Sequence, residues 1–330
     1  MIAAASAPAR VDLAGGTLDL WPISVLCDGA CTVNLAVDRR ARAKAQTVAF
    51  GFEIVSRDRD VGRTYGNARE AVADPAARLA AEAALSLGFE SGLRIETESA
   101  VPFGSGLGGS SALLVALIGA LGRLAGREFP ADEMVDWCRD VETRVLGVPA
   151  GMQDYQSAIR GGINVIEHGP GRPRVRTQRA PAVFASHCVL FDTGAPHHSG
   201  TNNWEITKRY LDGDRSVADA VAGVRDAARA MARAVGSEDL PAMGSALAAE
   251  WQARTRLSPA VSTPLLVEAD RAARHAGAWG AKACGAGGGG VMIVLAPAAR
   301  RNAVAAALSE LPGGRIFEAL PEVEGLRIEI

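Results

Sequence analysis

A run of glycines leading into an apolar helix constrains this chain more than any other feature. It reads Val101-Pro102-Phe103-Gly104-Ser105-Gly106-Leu107-Gly108-Gly109-Ser110-Ser111-Ala112, with Leu113, Leu114, Leu117, Ile118 and Leu121 following at helical spacing. Glycines let backbone N–H groups turn toward a ligand with no Cβ in the way. The helix behind them offers unsatisfied N–H groups and the positive end of its dipole. Together they form an anion cradle suited to nucleotide phosphates, with the Ser110 and Ser111 hydroxyls as added donors or magnesium ligands. Three readings compete. A Walker A loop needs Lys followed by Ser or Thr after its last glycine, and the Ser-Ser pair excludes it. Gly104-x-Gly106-x-x-Gly109 fits the dinucleotide fingerprint, but Pro102 interrupts the approaching strand and the serines go unexplained. A glycine turn that only caps a buried helix is the third reading, credible if the loop stood alone.

The rest of the chain sets bounds. At 330 residues there is room for two domains. A formal net charge of -2 argues against nucleic acid or an anionic membrane as partner. The five cysteines are scattered with no Cys-x-x-Cys pair, which excludes a zinc site or disulfide framework and suits a reducing cytoplasm. The first residues reach Arg10 and Asp12 too soon for a signal peptide. No stretch approaches the roughly 20 apolar residues of a membrane span.

Short strands are expected at Ala9–Ala14, Ala30–Val37, Ala41–Phe50, Glu53–Ser56 and Leu93–Glu98, with a helix over Pro75–Leu87. Asp132–Leu146 has the pattern of an amphipathic helix. The second half opens with a strand at His187–Asp192 and continues with helices at Ser216–Val235, Asp239–Leu257 and Thr263–His275. After the glycine run come a strand, a helix at Pro297–Leu308 and a strand at Gly325–Ile330. Strands and helices lack a regular βαβα rhythm, which predicts an α+β fold in two lobes, residues 1–185 and 186–330. Arg172, Arg174 and Arg176 read as a solvated hairpin, with a phosphate site as the alternative.

The central loop closely resembles the phosphate-binding motif of the galactokinase, homoserine kinase, mevalonate kinase and phosphomevalonate kinase (GHMP) family. Two more segments agree in order and spacing. Ala7-Pro8-Ala9-Arg10-Val11-Asp12-Leu13-Ala14-Gly15-Gly16 resembles the family's N-terminal motif, and Lys282-Ala283-Cys284-Gly285-Ala286-Gly287-Gly288-Gly289-Gly290 its C-terminal glycine motif. The resemblance implies an N-terminal lobe with a left-handed βαβ crossover and a ferredoxin-like C-terminal lobe. ATP and the second substrate would meet between them.

The same resemblance assigns roles. Residues Gly104 to Ser111 hold the ATP phosphates, Ser110 and Glu142 hold Mg²⁺, and Asp154 is the base that takes the acceptor's hydroxyl proton. Such a base is what phosphoryl transfer often needs beside charge neutralisation. Arg10 stands where the family has a cation near base and phosphate, where it would stabilise transition-state charge. Asp19 matches an aspartate that bonds sugar hydroxyls, and Gly151, Gly287 and Gly288 fall on the substrate side. Considered alone, Glu142 is an exposed helix residue, Asp154 a turn acid and Arg10 a surface arginine.

Gly15-Gly16-Thr17-Leu18-Asp19 and Pro22 are similar to the heptose 7-phosphate kinases and fucokinases, which implies a sugar or sugar phosphate phosphorylated at its anomeric hydroxyl. Two departures stand out. Thr17 lies one place early, and Gly109 replaces the usual serine. An isoprenoid-branch kinase and a non-catalytic sugar and ATP sensor are the alternatives. Asp19 weighs against the first, and retention of Arg10, Ser110, Glu142 and Asp154 against the second. His197 and His198, in a polar loop running to Trp204, read as solvated, as do Lys208 and Arg209. Oligomeric state is left open.

Overall fold

The computed structural model describes residues 1–195 and 199–329, the side chains of 199–202 excepted. Twelve strands are described: β1 (Ile2–Ala14), β2 (Cys31–Thr47), β3 (Phe52–Ser56), β4 (Val61–Tyr65), β5 (Leu93–Ser99), β6 (Ile163–Glu167), β7 (Arg174–Gln178), β8 (Cys188–Asp192), β9 (Gly280–Ala283), β10 (Val291–Leu295), β11 (Arg315–Ile316) and β12 (Arg327–Glu329). Eight form one mixed sheet in the order β12-β1-β2-β5-β3-β4, with β6 on β2 and β7 on β6. Only β3 and β5 run parallel, and the crossover between them carries the helix Arg78–Ser86.

The two strands expected between Ala30 and Phe50 are one long strand, β2, with an irregularity in its middle. Pro8 pairs with Arg40 and Ala9 with Val37, so Asp38 and Arg39 are extra residues opposite an unbroken β1. Pro8 has no N–H to give to a ladder, and a bulge is where a sheet tolerates that. Beyond the bulge β2 changes partner, from β5 along Ala41–Thr47 to β6 along Cys31–Leu35.

That division lets β1 serve two cores. Ala3, Ala5 and Ala7 pack with the helix Gly109–Leu124, which is apolar all round and buried on nearly every face. Ala9, Val11 and Leu13 pack with Met231 and Val235 of the helix Arg215–Gly236. Each buried Leu, Ile or Val contributes about 1.5–3 kcal/mol. The even-numbered residues are covered as well: Arg10 and Asp12, on the opposite face of β1, are buried.

The second sheet has the order β11-β8-β10-β9, all antiparallel. Counted from β8 this is 4-1-3-2, the ferredoxin-like order that the motifs imply. Asp214, Asp239 and Thr263 accept from backbone N–H groups and start the helices Arg215–Gly236, Leu240–Arg254 and Pro264–His275, close to where the sequence places them. The chain's end then crosses back: Pro321 bridges Val37 and β12 pairs with β1. All five cysteines are free thiols. Among the described residues no helix is long and apolar enough to cross a membrane.

Candidate active site

The glycine loop between β5 and the helix Gly109–Leu124 turns through three left-handed residues, Gly104, Gly106 and Gly108, at φ +70°, +76° and +68°. Gly108 begins the helix, and no side chain caps its first N–H groups. A Cβ on Gly108 would stand 3.1 Å from Asp154 Oδ2 and 3.3 Å from Arg10 Cγ. Glycine is therefore required twice here, for φ and for room. The loop is fastened to the other half of the chain: Val291 N donates to the Ser105 carbonyl at 2.8 Å.

Arg10 spans the space between the loop and Asp154. Its Nε lies 2.7 Å from Asp154 Oδ1 and its Nη1 donates to the Gly106 carbonyl. Burial opposes the guanidinium charge, but Asp154 and then Asp12 outweigh it, so its pKa lies above the ordinary arginine value. Asp154 sits in the first turn of the helix Gln153–Arg160 with its side chain 22 % exposed, while Arg10's is 6 % exposed. The carboxylate is the half of the pair that solvent reaches.

Glu142 projects from the helix Ala131–Leu146 into the same region and is buried. Ser111 Oγ donates to its Oε2 at 3.0 Å, Tyr155 OH donates to the same oxygen, and Ser110 bonds it too. Burial, with Asp154 adding to it, pushes the Glu142 carboxyl above its usual range despite these donors. Ser111 Oγ is also 3.4 Å from Asp154 Oδ2, so one hydroxyl lies between the two acids. Both serines thus address Glu142, Ser110 from an exposed position and Ser111 from a buried one. Tyr155, which the sequence did not single out, is fully buried and completes this corner.

Asp19 is beside Asp154, but one of its oxygens is already engaged. Its Oδ2 accepts from Met152 N at 2.8 Å and Gln153 N at 3.1 Å, bracing the turn just before Asp154. A Cβ on Gly151 would come within 2.2 Å of that oxygen, so Gly151 is what admits the carboxylate. Burial raises the Asp19 pKa to about 6, against the pull of these N–H donors. Gly287 and Gly288 lie in the run after β9, pressed on the carbonyls of Val261 and Ala260.

Behind these residues lies a charge cluster that sequence reasoning missed. Lys282 Nζ is 2.9 Å from Asp12 Oδ2 and 3.5 Å from Glu250 Oε1, and Arg254 Nη2 is 2.6 Å from Glu250 Oε1. All four side chains are 0–1 % exposed. A signal existed: charges set in apolar strands (Asp12, Lys282), and Glu250 and Arg254 four apart on a mostly buried helix.

Other sequence candidates fall outside the site. Arg172 pairs with Asp136 at 2.9 Å and Arg176 with Glu167 at 3.8 Å, along the β6–β7 hairpin. Lys208 pairs with Glu205 and Arg209 with Asp214, as solvated residues do. His197 and His198 lie outside the described residues. Asn203 is described, and its Oδ1 accepts from Thr17 Oγ1 at 3.3 Å. Among the described residues no group of three or more His, Cys, Asp or Glu could hold a metal. Magnesium does not ask for one, since it takes one or two carboxylates and completes its shell with phosphates and water.

Comparison with known proteins shows the family. The chain matches the GHMP kinases N terminal domain over residues 71–162 and the GHMP kinases C terminal domain over 228–312. It is 33% identical to a mevalonate kinase of Pyrococcus horikoshii, over 72% of this chain and 69% of that one. It is 29% identical to a D-glycero-alpha-D-manno-heptose 7-phosphate kinase of Campylobacter jejuni, over 66% and 65%. Among solved structures, a D-glycero-D-manno-heptose 1-phosphate kinase of Bacteroides thetaiotaomicron superposes with a TM-score of 0.80 at 21% identity, covering 100% of this chain and 99% of that one.

Proposed function

The chain belongs to the GHMP kinase family and is an ATP-dependent phosphotransferase, and from that premise we propose that its acceptor is a sugar or sugar phosphate, phosphorylated at the anomeric hydroxyl. The observation that carries this reading is the polar surround of the base. Asp154 has the Asp19 carboxylate near it, and Thr17, two residues before Asp19, bonds Asn203; such polar groups suit a polyol better than an acceptor with an apolar middle.

In this reading Asp154 accepts the proton of the attacking hydroxyl. Arg10 keeps it oriented through Nε and, through its hold on the Gly106 carbonyl, ties the base to the loop that receives the phosphates. The uncapped N–H groups at Gly108–Ser111 cradle those phosphates. Ser110 and Glu142 would hold Mg²⁺. A hard cation suits their oxygens, and a buried carboxylate with a raised pKa is a group that gains from a cation beside it. The ion would supply charge neutralisation for the transferring group. Gly151, Gly287 and Gly288 would wall the acceptor side, and residues 1–185 and 186–330 would act as the two lobes around it.

A second reading, an acceptor like mevalonate, is favoured by the identity to the Pyrococcus horikoshii protein. Coupled ADP release with Mg-ATP decides between them. The panel is fucose, mannose, galactose, arabinose, glucuronate and heptose 7-phosphate, with mevalonate and homoserine alongside. A sugar-dependent signal is expected; turnover of mevalonate alone would refute the sugar reading.

A further inference from the structure

Arg254 touches no group assigned to the transfer, yet its guanidinium reaches both halves of the chain. From the end of the helix Leu240–Arg254, Nη2 donates to the Gly16 carbonyl at 2.7 Å. Nη1 donates to the Gly285 carbonyl at 3.3 Å and lies 3.5 Å from Thr17 Oγ1. Nε and Nη2 hold Glu250 Oε1 at 2.8 Å and 2.6 Å, and Asp12 Oδ2 is 3.8 Å away. Gly16 and Thr17 belong to the turn after β1, and Gly285 to the glycine run after β9. One planar group therefore joins two of the three glycine motifs, which are separated by some two hundred and seventy residues of sequence.

Two observations show that the turn is built around this contact. A Cβ on Gly16 would stand 2.5 Å from Asp12 Oδ2 and 2.9 Å from Arg254 Nη2, so side-chain volume is absent where the guanidinium lies. The next residue, Thr17, has φ +78°, a left-handed conformation that a β-branched residue adopts only when its surroundings impose it. Arg254 is bonded on either side of that strain, to the Gly16 carbonyl before it and toward the Thr17 hydroxyl. Two residues on, Asp19 accepts from the amides of Met152 and Gln153, and Asp154 follows.

We infer that Arg254 is a positioning residue for phosphoryl transfer: it locks the strained Gly16–Thr17 turn to the Gly285 run and, through Asp19, holds Asp154 in place. The inference rests on Asp154 being the base. Arginine is needed because the task takes a fork. Its donors meet two carbonyls, a hydroxyl and a carboxylate in one plane, whereas a lysine ammonium is a single point. Glu250, Asp12 and Lys282 balance the charge, so the fork can sit fully buried. A displacement of about 1 Å at a reacting group can cost about 10²-fold in rate, which sets the effect expected.

The test combines backbone amide exchange by mass spectrometry on the unliganded protein with steady-state kinetics in Mg-ATP and the acceptor found by the panel. In R254A, amides of residues 16–20 and 152–154 should exchange about tenfold faster or more beyond whatever acceleration the β2 and β10 ladders show. kcat should fall about 10²-fold with KM for ATP within about twofold. R254K should recover less than a tenth of the loss, and millimolar methylguanidinium should restore R254A but not D154N. Wild-type exchange in both segments together with wild-type kcat would overturn the inference. So would protection lost equally over the two segments and both sheets with no rescue, which marks an arginine of the core and nothing more. If R254A does not fold, R254K carries the same comparison, and wild-type kcat in R254K overturns the proposal. The expected exchange pattern in a protein that turns over no tested acceptor would support the lock and count against the sugar reading alone.

Discussion

Two sets of opposite charges each have one member on the same strand, β1, and differ in what they can do. Arg10 and Asp154 form a pair with one open side, whereas Asp12, Lys282, Glu250 and Arg254 form a closed set with no solvent contact. The two differ only in what covers them. The glycine loop leaves Asp154 uncovered because Gly108 has no side chain to place over it. Asp12 is closed in by Lys282 and Arg254, which arrive from the other half of the chain. Solvent reaches Asp154 and does not reach Asp12. The open pair can take part in chemistry, and the closed set can only hold geometry. Closed sets of this kind add little net stability, but removing one member leaves a buried charge unanswered.

Breaking each set in turn should therefore give opposite signatures. D154N should lower kcat by about 10²–10⁴-fold while ATP affinity and the urea midpoint stay near wild type. Turnover close to wild type would remove Asp154 from the role of base. K282M strips the cation from Asp12 and Glu250, and should cost about 3–5 kcal/mol of stability, read from urea unfolding. A smaller loss than D154N shows would mean that the closed set is neutralised in some other way. S111A tests the boundary between the two regions, because its hydroxyl serves Glu142 and faces Asp154. Losing one donor to a carboxylate should cost about 1.5–3 kcal/mol, visible in the same unfolding experiment.

The smallest effect expected is a pH slope. Asp19 is held at about 6, against 3.8 ordinarily, because burial disfavours its charged form. Folding then takes up a proton between those two values. The Asp19 contribution to stability is most favourable below the lower value, declines as pH rises through the window, and is level above about 6. Urea midpoints of wild type and D19N across that window should differ in slope, with the D19N curve flatter. Parallel curves would mean that Asp19 ionises in the fold as it does in the unfolded chain.

Much of this site was legible in the residue order, and the reason is local. The loop Gly104–Ser111, the Arg10 strand and the Gly285–Gly290 run each do their work with contiguous backbone, so the residue types must appear together. Helix starts near Ser216, Asp239 and Thr263 are legible for the same reason, since a cap bonds its own first turn, although the first cap is Asp214, two residues earlier than the sequence places the helix. The helix Gln153–Arg160 was not, because eight residues behind Pro149 and Gly151 are too few for a periodicity to register. Nor was the hairpin strand β4, whose middle residues are exposed and polar. The resemblance assigns Asp19 to the acceptor side, but its brace on Met152 and Gln153 depends on a turn more than a hundred residues away.

The sequence by itself determined the family and the glycine loop that opens an uncapped helix, because those depend on residue type and short spacing. Only the tertiary structure decided which carboxylate is open and which is sealed. Asp12 and Asp154 are the same chemical group, each near Arg10. What separates them is the charge and volume delivered by Glu250, Arg254 and Lys282, and a buried charge is set by the sum of its neighbours in space, which residue order does not carry.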